Sequence, residues 1–148
     1  MRILGFDTAT SACSAALWRS GTIVARRFEP MARGQSERLM PMIREVLDEA
    51  GAGFADLDLL AVTRGPGAFT GLRIGLAAAR GLALATGLPC LGVTTLDALA
   101  CAVPAEEITG RTLLAVIDAK RADLYAQAFD AGLAPLGATR EVRGRSTP

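Results

Sequence analysis

The sequence predicts an α/β fold in which a small mixed sheet is flanked by helices. Three observations carry this. Short apolar runs of strand length give way to apolar residues at helical spacing. Two tight turns join the first three runs, as in an antiparallel meander. The pattern that opens the chain also returns in its last third. Hydrophobic residues make up 51% and charged residues 21% of the 148 residues. That balance supplies a packed core and argues against global disorder. The length suits one domain, or one domain and part of a second.

Arg2 to Phe6 is the first strand, ending at Asp7. After a Thr-Ala-Thr-Ser turn, Ala12 to Trp18 is the second. Ser20-Gly21 turns the chain into a third strand, Thr22 to Phe28. Gln35 to Ala50 reads as a helix, because Leu39, Met42, Ile43, Val46 and Leu47 recur at helical spacing. Ser36 is its expected N-cap and Gly51 its stop; Pro41 implies a kink or a later start. Leu57 to Thr63 is a strand. The glycine-rich turn from Arg64 to Gly71 leads into a helix from Thr70 to Thr86, closed by Gly87-Leu88-Pro89. Cys90 to Val93 is a short strand, and Thr94 or Thr95 caps a helix reaching Ala102.

The order β-β-β-α-β-α-β-α matches one half of the actin-like ATPase (ribonuclease H-like) architecture. An internal repeat supports it. Ile3 to Asp7, a turn and Cys13 to Trp18 lead to Gly21; Leu114 to Asp118, a turn and Leu124 to Phe129 lead to Gly132. The expectation is a complete N-terminal domain over 1–110. Residues 111–148 would be the first hairpin of a truncated second lobe, weakly ordered, with an unstructured tail from Arg140 to Pro148.

Composition narrows the chemistry. A net charge of +1 gives no bulk field toward nucleic acid or a membrane surface. Lys120 is the only lysine; the arginine-rich remainder fits either an RNA reader or the codon bias of a GC-rich genome. Cys13, Cys90 and Cys101 lack metal-ligand spacing and lie in apolar or small-residue stretches, as expected of buried free thiols in a reducing cytoplasm. Met1-Arg2-Ile3-Leu4 runs directly into strand-like sequence, without a signal peptide's features. The apolar run 75–91 is broken by Arg80, Gly81, Gly87 and Pro89, so it reads as a helix plus a strand rather than a membrane span. Histidine is absent, which excludes zinc hydrolase motifs and Ser-His or Cys-His nucleophile systems.

Two stretches are candidate sites. Asp7, Thr8 and Thr10 form a turn of the kind that holds a hydrated metal ion or phosphate, or that bonds only its own backbone. Arg64 to Gly75 frees the amides of a helix start, with Arg64 and Arg73 near for an anion; no Gly-Lys-Ser/Thr follows, so it is not a P-loop. Gly71, Gly75 and Ala79 fall four apart within that helix. Interior glycine costs about 0.5–1 kcal/mol relative to alanine, which a close backbone contact would offset. That contact is with the domain's own sheet or with a partner helix. Met40 and Met42 suit adaptable apolar contact on the first helix.

Arg2–Thr10, Arg64–Gly75 and Ile117–Arg121 together resemble the bacterial TsaB (YeaZ) family. The resemblance runs from Met1 to about Phe129. It implies a non-catalytic scaffold in the synthesis of N6-threonylcarbamoyladenosine (t6A) in tRNA. It further implies pairing with and activation of a TsaD-type transferase, a TsaE-type ATPase as a further partner, and tRNA met only through the complex. No cofactor is then expected on this chain alone, while ATP or ADP belongs to the assembled complex. Family pairing through the first two helices, with TsaD or a second copy, implicates Leu39, Met40, Met42, Ile43, Thr70, Gly71, Ile74, Gly75 and Ala78. The alternative is an actin-fold small-molecule phosphotransferase using ATP, with Asp7 and Asp118 placed for metal and catalysis.

Overall fold

The computed structural model describes residues 1–118 and 123–143. They form two compact units, Met1–Arg64 with Ala68–Val93, and Gly65–Gly67 with the chain from Thr94 onward.

The first unit holds a five-stranded sheet in the order β3-β2-β1-β4-β5. Its strands are β1 (Arg2–Asp7), β2 (Ala12–Arg19), β3 (Thr22–Pro30), β4 (Leu59–Thr63) and β5 (Cys90–Val93). β1, β2 and β3 run antiparallel, and β4 and β5 join in parallel. Ser20 and Gly21 both have positive φ, 49° and 95°, the geometry that matches a two-residue turn to the twist of its strands. Alternation then sorts the side chains. Leu4, Phe6, Cys13, Ala15 and Leu17 point to one face and enter the core, while Ile3 pairs with Trp18 on the other. A bulge between Leu17 and Trp18 leaves Val24 as the extra residue of β3.

Two helices cover the core face. α1 (Gln35–Glu49) buries Leu39, Met42, Ile43, Val46 and Leu47. It starts two residues earlier than Ser36 as N-cap would set it: Gly34, at φ 90°, is the N-cap, and its carbonyl accepts the Arg38 amide at 3.1 Å. Pro41 sits inside the helix, exposed. Its missing N–H leaves the Glu37 carbonyl to water, so the helix passes through it. α2 (Phe69–Thr86) buries Gly71, Gly75 and Ala79 and ends at Gly87 with φ 74°. Before β4 the chain makes a 3₁₀ turn at Phe54–Asp56, and the strand begins at Leu59 rather than at the expected Leu57. Asp58 ties the start of β4 to the start of β1, accepting the Arg2 amide at 2.6 Å and donating its own to the Arg2 carbonyl at 2.9 Å.

The second unit holds a three-stranded sheet, β6 (Leu113–Asp118), β7 (Asp123–Phe129) and β8 (Arg140–Arg143). α3 (Thr95–Cys101) and α4 (Ala105–Ile108) precede it. The Thr94 hydroxyl caps α3 by accepting the Asp97 amide at 3.0 Å. Leu96 and Ala100 pack with Ala115 and Phe129. That contact assigns α3 to the second unit and moves the boundary from 110 to Val93/Thr94. β8 pairs with β7 from Asp123↔Arg143 to Ala126↔Arg140, so Arg140–Arg143 is a strand rather than loose tail. The repeated pattern is real as structure: both copies are antiparallel hairpins whose first strand ends in aspartate. Ala119–Arg121, part of the quoted motif, and residues 144–148 lie outside the described residues.

The cysteine expectation needs correction. Cys13 is buried, but Cys90 and Cys101 are exposed. Cys90 opens the edge strand β5, and Cys101 ends α3. Burial pushes the Cys13 thiol up, which keeps it protonated and inert.

Candidate functional site

The turn after β1 is built around Asp7 and Thr8. Asp7 Oδ1 accepts the Ala9 amide at 2.9 Å and also the hydroxyl of Thr63 from β4. Thr8, 1% exposed, donates its hydroxyl to the Gly71 carbonyl at 2.7 Å. The Ala68 amide donates to the Ala9 carbonyl at 2.7 Å. The turn is thus stitched to the first turn of α2 and to β4. Thr10 is half-buried beside it.

Glycine makes that contact possible. A Cβ on Gly71 would stand 1.9 Å from the Thr8 carbonyl oxygen, and one on Gly75 would stand 2.8 Å from the Thr8 hydroxyl. These distances admit no side chain. The four-residue spacing therefore serves an intradomain contact between α2 and the Asp7 turn. Of the polar groups expected to meet phosphate or a hydrated cation, Asp7 Oδ1 and the Thr8 hydroxyl have partners in their own chain. Among the described residues, no three of His, Cys, Asp and Glu stand together as metal ligands.

The residues expected at a partner surface divide in two. Leu39, Met42, Ile43, Gly71 and Gly75 are enclosed in their own domain, a correction with a simple cause. The first three lie on the face of α1 that seals the sheet, and the two glycines carry the Thr8 contact. Met40, Ile74 and Ala78 are partly buried and flank the core, while Thr70 is exposed. The outward face of α2 presents other residues. Phe69 is 73% and Leu84 89% exposed, with Arg73, Ala77 and Arg80 between them. Positions 69, 73, 77, 80 and 84 form one helical stripe. The Arg73 guanidinium lies 5.3 Å from the Phe69 ring centroid. The spacing of these residues was available in the sequence, but buried and exposed apolar positions on α2 alternate too closely to separate without the sheet beneath.

The expected anion site at the start of α2 gains a limited feature. Gly92 lies under the Arg64 side chain, where an added Cβ would meet Cδ at 2.9 Å. Arg38 was not singled out from sequence, yet it is an ion-pair hub. Its guanidinium donates to Glu29 at 2.5–2.9 Å and to Glu45 at 2.7 and 2.9 Å. Arg27 extends the network to Glu49 at 2.5 Å. Arg38 hydrogen bonds hold the Glu29 and Glu45 carboxyls below the usual range, and the carboxylates raise the Arg38 guanidinium in turn. The Arg38–Glu45 spacing of seven on α1 was the signal for half of this network.

Comparison with known proteins is specific. A family model described as TsaD, tRNA N6-adenosine threonylcarbamoyltransferase, matches residues 28–142. The tRNA threonylcarbamoyladenosine biosynthesis protein TsaB of Escherichia coli K12 is 47% identical over 126 residues, covering 84% of this chain and 53% of that protein. The chain thus spans about half the length of this curated relative. The solved structure of YeaZ from Pseudomonas aeruginosa superposes with a TM-score of 0.85 at 36% identity, covering 95% of this chain and 67% of that one. A ROK hexokinase from Thermus thermophilus, at 17% identity and a TM-score of 0.54, covers 88% of this chain and 47% of its own. At that identity the likeness shows the fold alone, an actin-like ATPase fold. No helix among the described residues is long and apolar enough to cross a membrane. With the Arg64–Gly75 motif, the duplicated hairpin and these matches, the chain belongs to the TsaB (YeaZ) family.

Proposed function

We propose that this chain is a non-catalytic partner subunit in the synthesis of N6-threonylcarbamoyladenosine in tRNA, and that it docks on a TsaD-type transferase. The observation that carries the reading is a contrast within one helix. The inner face of α2 closes on Thr8 through Gly71 and Gly75, which engages the Thr8 hydroxyl within the chain. The outer face leaves Phe69 and Leu84 in water. Large exposed apolar side chains on one stripe mark a surface that is buried on association.

Docking supports the transferase by differential binding: the subunit favours whichever arrangement of its partner it contacts best. In this reading the chain works in the cytoplasm and holds no nucleotide alone. A TsaE-type ATPase joins the assembly and brings ATP or ADP, and tRNA is met through the complex. The test is titration of the purified chain into the TsaD-type transferase of the same organism by calorimetry. A one-to-one complex at micromolar concentration is expected, and no heat and no co-elution would contradict it. The competing reading as an ATP-dependent phosphotransferase requires a free Asp7 turn, and the internal bonds of Asp7 and Thr8 give it no support. ATP turnover by the purified chain would revive it.

A further inference from the structure

The three-stranded sheet of the second unit ends in an open edge. β8 (Arg140–Arg143) is its last strand, with β7 on one side and no strand on the other among the described residues. All four of its residues are exposed. Pairing with β7 fixes which way each one points. Val142 lies opposite Leu124 and Arg140 opposite Ala126, while Glu141 lies opposite Tyr125 and Arg143 opposite Asp123. Residues directly opposite one another share a face of the sheet. One face therefore carries Val142 beside exposed Leu124, Val116 and Leu114, and the other carries Glu141 and Arg143. Neither Glu141 nor Arg143 is in an ion pair among the described residues.

An edge strand offers a row of unpaired N–H and C=O groups to another edge. Charged side chains usually oppose such pairing; here they select one form of it. When β8 pairs antiparallel with β8 of a second copy, the apolar faces coincide only if one residue meets its own counterpart at the two-fold axis. Centred on Arg140, Glu141 or Arg143, that pairing sets like charges directly opposite, which destabilises a sheet. Centred on Val142, it sets valine against valine and each Glu141 against Arg143 of the second copy. Arg143 then lies between Asp123 of its own chain and Glu141 of the other. On the opposite face, the row from Leu124 to Val142 continues into the same row of the second copy. The edge strand β3 has a similar run, Arg27-Phe28-Glu29, but its charges are engaged within the chain: Arg27 reaches Glu49, and Glu29 accepts from Arg38.

We propose that the chain associates with a second copy of itself through β8, edge to edge in the antiparallel register centred on Val142, so that two three-stranded sheets join into one of six strands. The contact uses no residue of α2 and needs no transferase, so it stands apart from the docking reading above. A four-residue edge is a small contact, and the pairing is correspondingly weak and concentration-dependent. Its register is set by charge, because the neighbouring alignments that keep the apolar faces together meet like charges.

The test is sedimentation equilibrium of the purified chain up to high micromolar concentration, with circular dichroism checking each variant for an intact fold. The variants are Glu141→Arg, Arg143→Glu and the swap Glu141→Arg/Arg143→Glu. All three are carried in an Asp123→Asn background, so that the charge at position 143 meets no carboxylate of its own chain. Each single change makes both cross-strand pairs like-charged and should weaken dimerisation at least about fivefold relative to the background. The swap should restore it. An equimolar mixture of the two single variants should restore it as well, since each arginine then faces a glutamate. A wild-type chain that stays monomeric throughout overturns the proposal. Dimerisation that the single changes leave untouched also overturns it, because the contact then lies on another surface. A swap and a mixture that pair no better than the single variants would overturn the register proposed here.

Discussion

At the residue scale, the contact between Thr8 and α2 governs the candidate site. Gly71→Ala places a methyl where the Thr8 carbonyl oxygen already stands, 1.9 Å away. The backbone must move, so the expected loss in urea denaturation is about 3 kcal/mol or more, at the top of the range for overpacking. Gly81 is the control. It lies on the exposed side of the same helix with nothing within 4 Å of an added Cβ. Gly81→Ala should stabilise by about 0.5–1 kcal/mol, through backbone entropy alone. Thr8→Val keeps the shape and removes the hydroxyl donated to Gly71, at an expected cost of about 1 kcal/mol. The close approach was legible in the four-residue glycine spacing. Its target was not, because Thr8 and Gly71 are 63 residues apart in the chain and spacing alone does not distinguish a neighbouring turn from a partner helix.

At the element scale, α1 and β3 are joined by the Arg38 network. Glu29 and Glu45 hold lowered carboxyls, first through their hydrogen bonds with Arg38. The native state then binds fewer protons than the unfolded state at acidic pH, and stability rises with pH through that range. The contribution is complete above the ordinary glutamate range and is lost as pH falls through the lowered native values. Thermal melts of wild type and Arg38→Gln should differ near neutral pH and converge toward pH 3; a constant gap would place the stabilisation elsewhere. The three-strand meander was legible because its turns are local. The allegiance of α3 was not, since Leu96 and Ala100 find Phe129 some thirty residues later through tertiary packing. β8 was missed for a related reason. Its residues Arg140–Arg143 are all exposed, so no apolar alternation marks them, and pairing with β7 alone makes them a strand.

At the scale of the whole molecule, a duplicated hairpin appears in two units, and the first unit carries the family's glycine-marked helix. The helix has two faces with separate tasks. Its inner face packs on the turn after β1, where the Thr8 hydroxyl donates to the Gly71 carbonyl. Its outer face leaves Phe69, Arg73, Arg80 and Leu84 exposed, the face proposed above for docking. The chain's own packing absorbs Leu39, Met42 and Ile43, so substitutions there should act through stability rather than partner choice. Met42→Ala should cost about 2–5 kcal/mol as a core truncation, whereas Leu84→Ala should leave the melting temperature nearly unchanged and weaken docking. The most direct single measurement is the affinity of the TsaD-type transferase for wild-type chain and for Leu84→Ala, compared at equal fold stability. A micromolar or tighter wild-type complex that Leu84→Ala weakens is expected; a transferase that ignores the chain, or binds both equally, would contradict docking through the outer face of α2.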